Sequence, residues 1–285
     1  YRAHFAFSKN PIVNSKGVNT SAVYGFLNTL LELINKESPT HLAVAFDTKA
    51  PTFRSNIFTE YKANRERQPE DIQIAIPIIK NFLKHLNIEI VEKDGFEADD
   101  VVGTLSHNIS KEKRVSVFMM TPDKDFAQLV SEHIFMYRPA RMGNGIEIWG
   151  IPEVQEKFEV ERPEQVIDYL GMMGDAVDNI PGLPGVGDKT AKKFLKEYGS
   201  MEALLDNTDQ LKGKLKEKIE ANKEMGRLSK ELATILLDVP VTFDAKAYRL
   251  TDPDHMAVAK LFEELEFRRM QENFNKIFSA ATEAT

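Results

Sequence analysis

Apolar side chains recur along this chain at two spacings, one typical of amphipathic helices and the other of short buried strands. The helical spacing predicts helices over residues 19–36, 72–86, 97–109 and 255–274, and a further helix that begins at residue 123. Short apolar runs predict strands over residues 41–47, 88–92, 115–120 and 134–137, a turn at Met142–Gly145 and an extended segment over 240–250. Because strands alternate with helices, the pattern indicates an α/β fold with a mainly parallel central sheet and helices on both faces.

Two stretches interrupt this alternation. Residues 48–71 form a long polar connection with scattered aromatic side chains, and a connection of that length inside a domain is usually functional or mobile. From about Gly171 the chain becomes rich in glycine and proline, and then in lysine. We therefore predict an α/β core over residues 1–170, a second subdomain over 171–239 and a C-terminal extension over 240–285.

Acidic residues cluster where predicted strands end or predicted helices begin. They are Asp47, Glu97, Asp99, Asp100, Asp123, Asp125, Asp175 and Asp178. Ligand sites of parallel sheets lie beyond the carboxyl ends of the strands, so we expect the groups up to Asp125 to converge there. Converged carboxylates repel one another, and a hard cation such as Mg²⁺ or Mn²⁺ is the natural partner for them. The pattern suggests metal-assisted phosphoryl chemistry on a nucleic acid.

Two of the acidic groups also have a purely structural explanation. Acids in a first helical turn, as in EADD, gain ~0.3–1 kcal/mol each from the helix dipole, and Asp123 could be an N-cap. Three acids within four residues nevertheless exceed what capping needs. Asp-Lys-Asp after a strand also occurs in aspartyl-phosphate phosphatases, but Phe126 and Ala127 stand where Gly-Thr usually follows.

Composition narrows the chemistry further. The 285 residues include no cysteine, which excludes disulfides, thiolate nucleophiles and cysteine-bound zinc, and fits a reducing cytoplasm. The six histidines never fall at the spacings typical of zinc sites. No apolar run approaches the ~20 residues that a membrane span needs, so we predict a cytoplasmic location.

The net charge of −7 argues against a nucleic-acid partner only if its distribution is ignored. Basic side chains concentrate in Lys49–Arg67, Lys189–Lys196 and Lys212–Lys218. We interpret the third stretch as a solvated helix face. Lys62 and Arg65 lie in the long polar connection just after a predicted strand, a place that favours contact with phosphate over mere exposure to solvent.

A glycine-rich turn opens the predicted helix that carries the second basic stretch. In GLPGVGDKTAKKF, Gly185 and Gly187 precede Lys189, Lys192 and Lys193. Backbone N–H groups and the helix dipole at such a start bind phosphate without reading base sequence. The turn and its lysines fit a helix-hairpin-helix that holds DNA, whereas the GxxxxGK[ST] motif of a nucleotide-binding P-loop does not occur.

Taken together, the motifs of this chain resemble those of a known protein family. In chain order they are YRAHFAF, AFDTKAPTFR, EYKANR, GFEADDVVGTL, TPDKDFAQL, GDAVDNIPGLPGVGDKTAKKFL and YGSMEALL. Together they resemble the 5′-nuclease, or flap endonuclease, domain of bacterial DNA polymerase I, over about Tyr1 to Leu237 and more weakly beyond. In that family an apolar strand ending in Asp-Gly precedes YRA and supplies a further metal ligand, so we expect this chain to lack both.

The resemblance implies a site with two Mg²⁺ or Mn²⁺ ions and a helical arch at about 54–80. The implied metal ligands, direct or through water, are Asp47, Glu97, Asp99, Asp100, Asp123, Asp125, Asp175 and Asp178. The implied catalytic residues are Lys62 and Arg65, which would reach the scissile phosphate. The implied DNA-binding residues are Arg54, Gly185, Gly187, Lys189, Lys192 and Lys193, with K⁺ held at a helix–three-turn–helix.

The resemblance further implies a monomeric, structure-specific 5′–3′ exonuclease and flap endonuclease that acts on DNA and RNA primers in replication and repair. Its partners would be flapped or nicked duplexes, RNA primer–DNA junctions and the polymerase domain of the same parent chain. The absent first strand favours one alternative, a non-catalytic DNA-binding module. An RNA-directed nuclease is a more distant alternative. Cleavage of a 5′-flap substrate with Mg²⁺ would separate the nuclease from the binding module.

Overall fold

The structure, a computed structural model, describes residues 2–112, 114–139 and 145–282. The turn predicted at Met142–Gly145 lies outside these residues, apart from Gly145 itself. The α-helices are α1 (Arg2–Ala6), α2 (Ser21–Glu37), α3 (Phe53–Ile57), α4 (Glu70–His85), α5 (Ala98–Ile109), α6 (Ile151–Phe158), α7 (Val166–Met173), α8 (Asp188–Tyr198), α9 (Met201–Asp206), α10 (Gly213–Ala221), α11 (Lys223–Ala233), α12 (His255–Glu264) and α13 (Arg268–Thr282). Within the described residues, none of them combines the length and the apolar character that a membrane crossing requires.

The strands are short. They are β1 (Ala43–Ala45), β2 (Glu89–Val91), β3 (Val117–Met120), β4 (Ile134–Pro139) and β5 (Ile146–Trp149). Strand β1 pairs with β2 in parallel, β3 pairs with β4 in parallel, and β4 pairs with β5 antiparallel. Short 3₁₀ helices cover Lys124–Leu129, Pro163–Gln165 and Thr208–Gln210. The predicted mixed α/β class is confirmed, with small parallel strand pairs, in two separate sheets, and many helices.

The chain divides into two units, each assembled from separate segments. The first unit comprises Tyr1–Phe46, Glu66–Val91 and Asp244–Thr285. The second unit comprises Asp47–Arg65 and Glu92–Phe243. The boundaries that we predicted from composition do not coincide with this division, because the C-terminal segment packs into the first unit instead of forming an extension.

Helices α2, α4, α12 and α13 build the core of the first unit. Phe82, Phe262 and Phe274 are almost fully buried. The ring centroids of Phe82 and Phe262 lie 5.1 Å apart, and those of Phe262 and Phe274 lie 5.8 Å apart. Helix α2 contributes a buried stripe at helical spacing that includes Leu27 and Leu31. Burial of each large apolar side chain stabilises the fold by about 1.5–3 kcal/mol relative to its exposure. The predicted helix over 19–36 is therefore confirmed, because its apolar face has a partner.

Two predictions about the C-terminal segment are wrong. The single helix expected over 255–274 is two helices, α12 and α13, because Glu266 takes a left-handed conformation (φ 63°) and ends the first helix. The segment expected to be extended over 240–250 is interrupted by a turn at residues 245–247. Its end makes only an isolated antiparallel bridge between Arg249 and His41.

A helix-hairpin-helix in the second unit consists of α7, the turn over residues 174–187, and α8. Two glycines allow the turn to fold back tightly, since Gly174 has a φ of 72° and Gly182 a φ of 68°. A Cβ on Gly182 would lie 2.6 Å from the backbone N of Gly174, which no larger side chain tolerates. The N–H of Leu183 donates to the carbonyl of Met172, and the N–H of Gly182 donates to Ser229. These hydrogen bonds hold the turn that leads into α8 against α7 and α11.

The buried guanidinium of Arg54 ties α3 to the start of α5 and to the segment after α11. Its Nη1 and Nη2 donate to the two carboxylate oxygens of Asp100 at 2.7 and 2.8 Å. It also donates to the carbonyls of Leu232 and Thr234. Arg54 is 2% exposed and Asp100 is 0% exposed. Arg54, which the sequence suggested as a DNA contact, is therefore buried and paired inside the protein, and its charge does not face a ligand.

Replacement of Arg54 by Met should lower the free energy of unfolding by about 3–5 kcal/mol, because it leaves the Asp100 carboxylate buried without a cationic partner. Urea denaturation monitored by circular dichroism measures the change. The matched control is Arg227→Met, which breaks an exposed pair with Glu224 and should cost at most about 1 kcal/mol. Equal losses in the two variants would contradict a special contribution from the buried pair.

Candidate metal-dependent nuclease site

The first acidic group stands around the start of α5. The carboxylate of Asp47 accepts a hydrogen bond from the N–H of Ala98 at 2.8 Å, which holds Asp47 at this helix start. Glu97 immediately precedes α5, and Asp99 and Asp100 lie in its first turn. Burial, followed by the charges of Asp123, Glu97 and Asp47, raises the pKa of Asp99 to about 7. A carboxyl with such a pKa is short of compensating positive charge.

Asp100 differs from its neighbours because all of its acceptor sites are in use. Besides the two bonds from Arg54, its oxygens accept the N–H of Glu97 at 3.1 Å and the N–H of Leu236 at 3.0 Å. Four donors satisfy the four lone-pair positions of one carboxylate. Asp100, which we predicted to bind metal directly or through water, thus links three segments of the fold in this structure.

The second acidic group follows β3. Asp123 caps the 3₁₀ helix after it by accepting the N–H of Asp125 at 3.0 Å. The Oδ1 atom of Asp125 is buried and has no hydrogen-bond partner among the described residues. Burial, followed by the charge of Asp123, raises the pKa of Asp125 to about 7, and Lys124 opposes that rise. An oxygen left without a donor in an acidic surrounding is what a bound cation would satisfy.

The third acidic group lies in the turn between α7 and α8. Asp175 accepts the N–H of Val177 at 2.7 Å, and its backbone pairs with Ile180 in both directions. Burial alone would raise the pKa of Asp175, but the charge of Lys124, 3.2 Å away, and the backbone hydrogen bonds hold it below its usual value. Asp178 lies in the same turn and pairs with basic residues of another segment.

The three groups are neighbours in the second unit, because Lys62 lies 2.6 Å from Glu97 and 3.7 Å from Asp178, and Lys124 lies 3.2 Å from Asp175. Asp123 acts on both Asp99 and Asp125, while Asp175 and Asp178 also act on Asp125. In residues 2–112, 114–139 and 145–282, however, no three acidic or histidine side chains stand close enough together to hold a metal ion as they are placed. The carboxylates are neighbours, and side-chain movement would be needed to make them ligands of one ion.

Lys62 and Arg65 point at this acidic cluster. The Lys62 Nζ lies 2.6 Å from Glu97 Oε1 and 3.7 Å from Asp178 Oδ2, and the Arg65 guanidinium pairs with Asp178. Burial would lower the pKa of Arg65, but the charge of Asp178 and the hydrogen bond to it raise it. The two residues predicted to contact phosphate thus neutralise carboxylates that were predicted to bind metal.

The segment that carries these cations is docked on the α7–α8 turn. The N–H of Lys62 donates to the carbonyl of Asp178 at 2.9 Å, and the Asn64 amide donates to Ala176 at 2.8 Å. The Asn179 amide donates to Glu60 at 2.6 Å. Lys62 itself has a left-handed backbone (φ 57°), an uncommon conformation for a lysine that costs of order 1 kcal/mol.

The predicted arch over residues 54–80 is not one element. It begins in α3, continues as turns and irregular chain over residues 58–69, and ends in α4. The part up to Arg65 belongs to the second unit, and the part from Glu66 belongs to the first.

The lysines of α8 fall into two kinds. Lys189 and Lys193 are exposed and pair with no acid in the described part of the chain. The side chain of Lys192 is only 18% exposed and lies 3.2 Å from Asp188 and 3.7 Å from Glu159. The predicted DNA contacts on α8 are thus not equivalent, since one of the three is already neutralised.

The two glycines predicted at this turn also differ. Gly185 has a φ of 88°, which a tight turn requires and which favours glycine. Gly187 is the N-cap of α8 with an ordinary extended conformation, and no atom lies within 4 Å of the place where its Cβ would be. Gly187 therefore leaves the start of the helix open to approach from solvent.

Two residues of the cluster were missed at the level of sequence. The buried Tyr61 donates its hydroxyl to Glu97 at 3.1 Å, and burial, then the Glu97 charge, raises its pKa. Lys124 is the cation beside Asp175. Both lie in motifs, EYKANR and TPDKDF, in which the sequence pattern predicted functions only for other residues. Their proximity to the acids depends on chain segments far away in sequence, so no local signal could have assigned them.

Two family models match the chain. Residues 1–159 match the model of the 5′-3′ exonuclease N-terminal resolvase-like domain, and residues 161–256 match that of the 5′-3′ exonuclease C-terminal SAM fold. The helix-hairpin-helix described above is typical of that second domain. The two matches together cover most of the chain.

Full-length comparisons agree with the family models. The chain is 38% identical to the 5′-3′ exonuclease of Aquifex aeolicus over 99% of this chain and 94% of that one. It is 39% identical to DNA polymerase I of Bacillus subtilis over 97% of this chain, but it spans only 31% of the length of that relative.

Solved structures show the same fold at lower sequence identity. The T5 5′-exonuclease with bound divalent zinc ions matches with a TM-score of 0.66 and 21% identity over 93% of both chains. Flap endonuclease-1 from Methanococcus jannaschii matches with a TM-score of 0.60 and 19% identity, over 98% of this chain and 87% of that one. On the strength of the family models and the Aquifex relative, the chain belongs to the 5′–3′ exonuclease family.

Proposed function

We propose that this chain is a structure-specific 5′ nuclease that hydrolyses phosphodiester bonds of flapped or nicked DNA and of RNA primers, with divalent metal ions. The observation that carries the proposal is the acidic cluster around Asp123 and Asp125, in which two carboxyl groups have a pKa of about 7 and one buried oxygen lacks a donor. Such a cluster has a deficit of positive charge that cations would supply.

The donor set fits Mg²⁺ or Mn²⁺, because it consists of carboxylate oxygens without sulfur or imidazole. The residues that would hold two ions, directly or through water, are Asp47, Glu97, Asp99, Asp123, Asp125, Asp175 and Asp178. Asp100 would support them by fixing the start of α5 through Arg54. When bound, such ions supply an activated water for attack on phosphorus and stabilise the charge that develops.

Lys62 and Arg65 would act on the substrate phosphate. In this structure their charges are held by Glu97 and Asp178, so both cations already stand at the acidic cluster before a substrate arrives. If those carboxylates turn to metal ions, the ammonium and the guanidinium are released to donate to the non-bridging phosphate oxygens. Charged donors aimed at such oxygens lower the barrier most when they are preorganised.

The helix-hairpin-helix would hold the duplex. The N-terminus of α8 is open at Gly187, and Lys189 and Lys193 are exposed on the same helix. Backbone N–H groups and lysines contact phosphates irrespective of base sequence, which suits an enzyme that recognises DNA shape and ends. A K⁺ ion at this turn, products with 5′-phosphate and 3′-hydroxyl ends, and a monomeric state are further parts of the proposal.

The relatives suggest how the domain works in a larger protein. The relative from Bacillus subtilis is a DNA polymerase I, and a polymerase domain of the same parent chain is therefore a proposed partner. The Aquifex relative, of which this chain covers 94%, is named a 5′-3′ exonuclease, which supports the proposed exonuclease activity. The alternative is a non-catalytic DNA-binding module, which would bind flapped DNA without cleaving it.

Asp125→Asn should abolish Mg²⁺-dependent cleavage of a 5′-flap substrate while leaving DNA affinity unchanged or higher, because the change removes a charge that repels phosphate. Mn²⁺ affinity, measured by equilibrium titration without DNA, should fall by at least the ~10–100-fold typical of losing a residue that only supports a metal ligand. The matched control is Asp206→Asn on the exposed end of α9. Normal Mn²⁺ affinity in Asp125→Asn would remove this residue from the proposed site.

Lys62→Ala should lower kcat for flap cleavage by roughly 10²–10³, the range for one preorganised electrostatic donor. Duplex affinity should change little, because other groups supply most phosphate contacts. Lys49→Ala, an exposed lysine of the same connection, is the control and should leave kcat unchanged. Loss of affinity with normal single-turnover cleavage of bound DNA would place Lys62 in ground-state binding instead.

Lys193→Ala should weaken binding to all duplexes alike and flatten the dependence of log K on log salt by ~0.9. Lys192→Ala should flatten it less, since Asp188 and Glu159 already neutralise this lysine. The comparison is made by fluorescence anisotropy in the absence of divalent ions. Equal slopes for Lys193→Ala and the unchanged protein would mean that α8 faces solvent in the complex.

A further inference from the structure

A groove with a concentration of positive charge lies in the first unit, which contains none of the acidic cluster. It has a volume of about 800 Å³, and its walls come from α4, from β2 and from the segment that precedes α12. Lys80 and Lys84 line it from the helix, and Lys246 and Arg249 line it from the C-terminal segment. Glu89 is the one acid among the described residues that line it.

Three of these cations have no acidic partner. Lys84, Lys246 and Arg249 are exposed and form no ion pair with any residue in the part of the chain that the structure describes. Some basic residues elsewhere are paired, since Lys196 pairs with Glu159, and Lys230 pairs with Asp168 and Glu202. In a protein with a net charge of −7, unpaired cations gathered in one groove produce a local positive potential.

The groove is built on fixed backbone. Lys80 and Lys84 are four residues apart on α4 and therefore project from the same face of the helix. The backbone of Arg249 is bridged to His41, and Asp244 accepts the N–H of Lys246 at 2.8 Å. The positions from which these side chains extend are thus set by the fold.

The chemistry of the groove favours a polyanion over a protein surface. Protein interfaces depend on buried aromatic and arginine anchors in apolar surroundings. None of the described residues that line this groove is aromatic, and its polar lining includes Asn81 and Thr251 beside the cations. Groups of this kind bind the phosphates of a nucleic-acid backbone, which dominate affinity and carry no sequence information.

We infer that this groove is a second phosphate-binding surface, at which the chain binds a strand of its nucleic-acid substrate separately from the acidic cluster and the α7–α8 hairpin. The inference rests on the proposed function, because that function supplies the nucleic acid. It adds a surface on α4 and the C-terminal segment that the helix-hairpin-helix does not include. Both single-stranded and duplex portions of a flapped substrate present the phosphates that it would contact.

The test is a triple variant, Lys84→Gln, Lys246→Gln and Arg249→Gln. Its affinity for a labelled 5′-flap substrate, for a plain duplex and for a single strand is measured by anisotropy over a range of salt without divalent ions. If each side chain contacts one phosphate, the log K against log salt slope flattens by ~2.7 on the duplex and ~2.1 on the single strand. On the duplex, the loss of affinity on going from about 50 to about 200 mM salt should then be ~40-fold smaller than for the unchanged protein.

The control is a second triple variant with the same change in charge and residue types on α12 and α13. It consists of Lys260→Gln, Arg269→Gln and Lys276→Gln, all exposed. A flatter slope in the groove variant alone supports the inference, and the substrate that shows it identifies the strand. If the two triple variants have equal slopes of log K against log salt, the inference is overturned, whether or not those slopes differ from that of the unchanged protein. If the triple variant has a lower melting temperature than the unchanged protein, the single variant Lys84→Gln is measured in its place.

The outcome also distinguishes this inference from the proposed function. If the unchanged protein neither binds nor cleaves flapped DNA, the proposed function itself fails. If it binds and cleaves and the groove variant retains its full salt dependence, only the groove assignment fails. Cleavage by the groove variant at saturating enzyme should equal that of the unchanged protein, since none of the three residues belongs to the acidic cluster.

Discussion

Repulsion among carboxylates gathered in a small volume is the constraint on which the second unit depends. Every buried acid of this cluster has to be paired, hydrogen-bonded or protonated, because an isolated buried charge is too costly. The structure uses all three means: Arg54 pairs with Asp100, a backbone N–H binds the partly buried Asp175, and the pKa values of Asp99 and Asp125 rise to about 7. A site that still lacks positive charge after these measures is prepared for cations.

The same balance connects the acids to the segment over residues 58–65. Lys62 and Arg65 neutralise Glu97 and Asp178, and backbone hydrogen bonds hold their segment on the α7–α8 turn. Under the proposed function, metal ions and these two side chains compete for the same oxygens. Binding of metal would therefore loosen the pairs and make the cations available to a phosphate, so that site assembly and substrate contact become linked.

Basic side chains of this protein contribute to stability or to binding, depending on how deeply they are buried. Removal of the enclosed Arg54 would cost several kcal/mol of stability, because it would strand a buried carboxylate. Exposed lysines such as Lys193 and Lys84 contribute little to stability, since water and salt screen them. They are therefore free to serve binding, where phosphate contacts and counterion release give each of them a measurable effect.

Sequence alone determined the elements whose apolar spacing is long and regular, including α2, α4 and α5, and the acidic groups at strand ends, because both are local patterns. It could not tell apart Asp99 and Asp100, which are neighbours in sequence. A helix turns by roughly 100° per residue, so one carboxylate faces the acidic cluster while the other meets Arg54 in the interior. It also missed the break at Glu266 and the burial of Arg54. Those outcomes were decided by segments distant in sequence, whose packing sets which charges are enclosed and which remain at the surface.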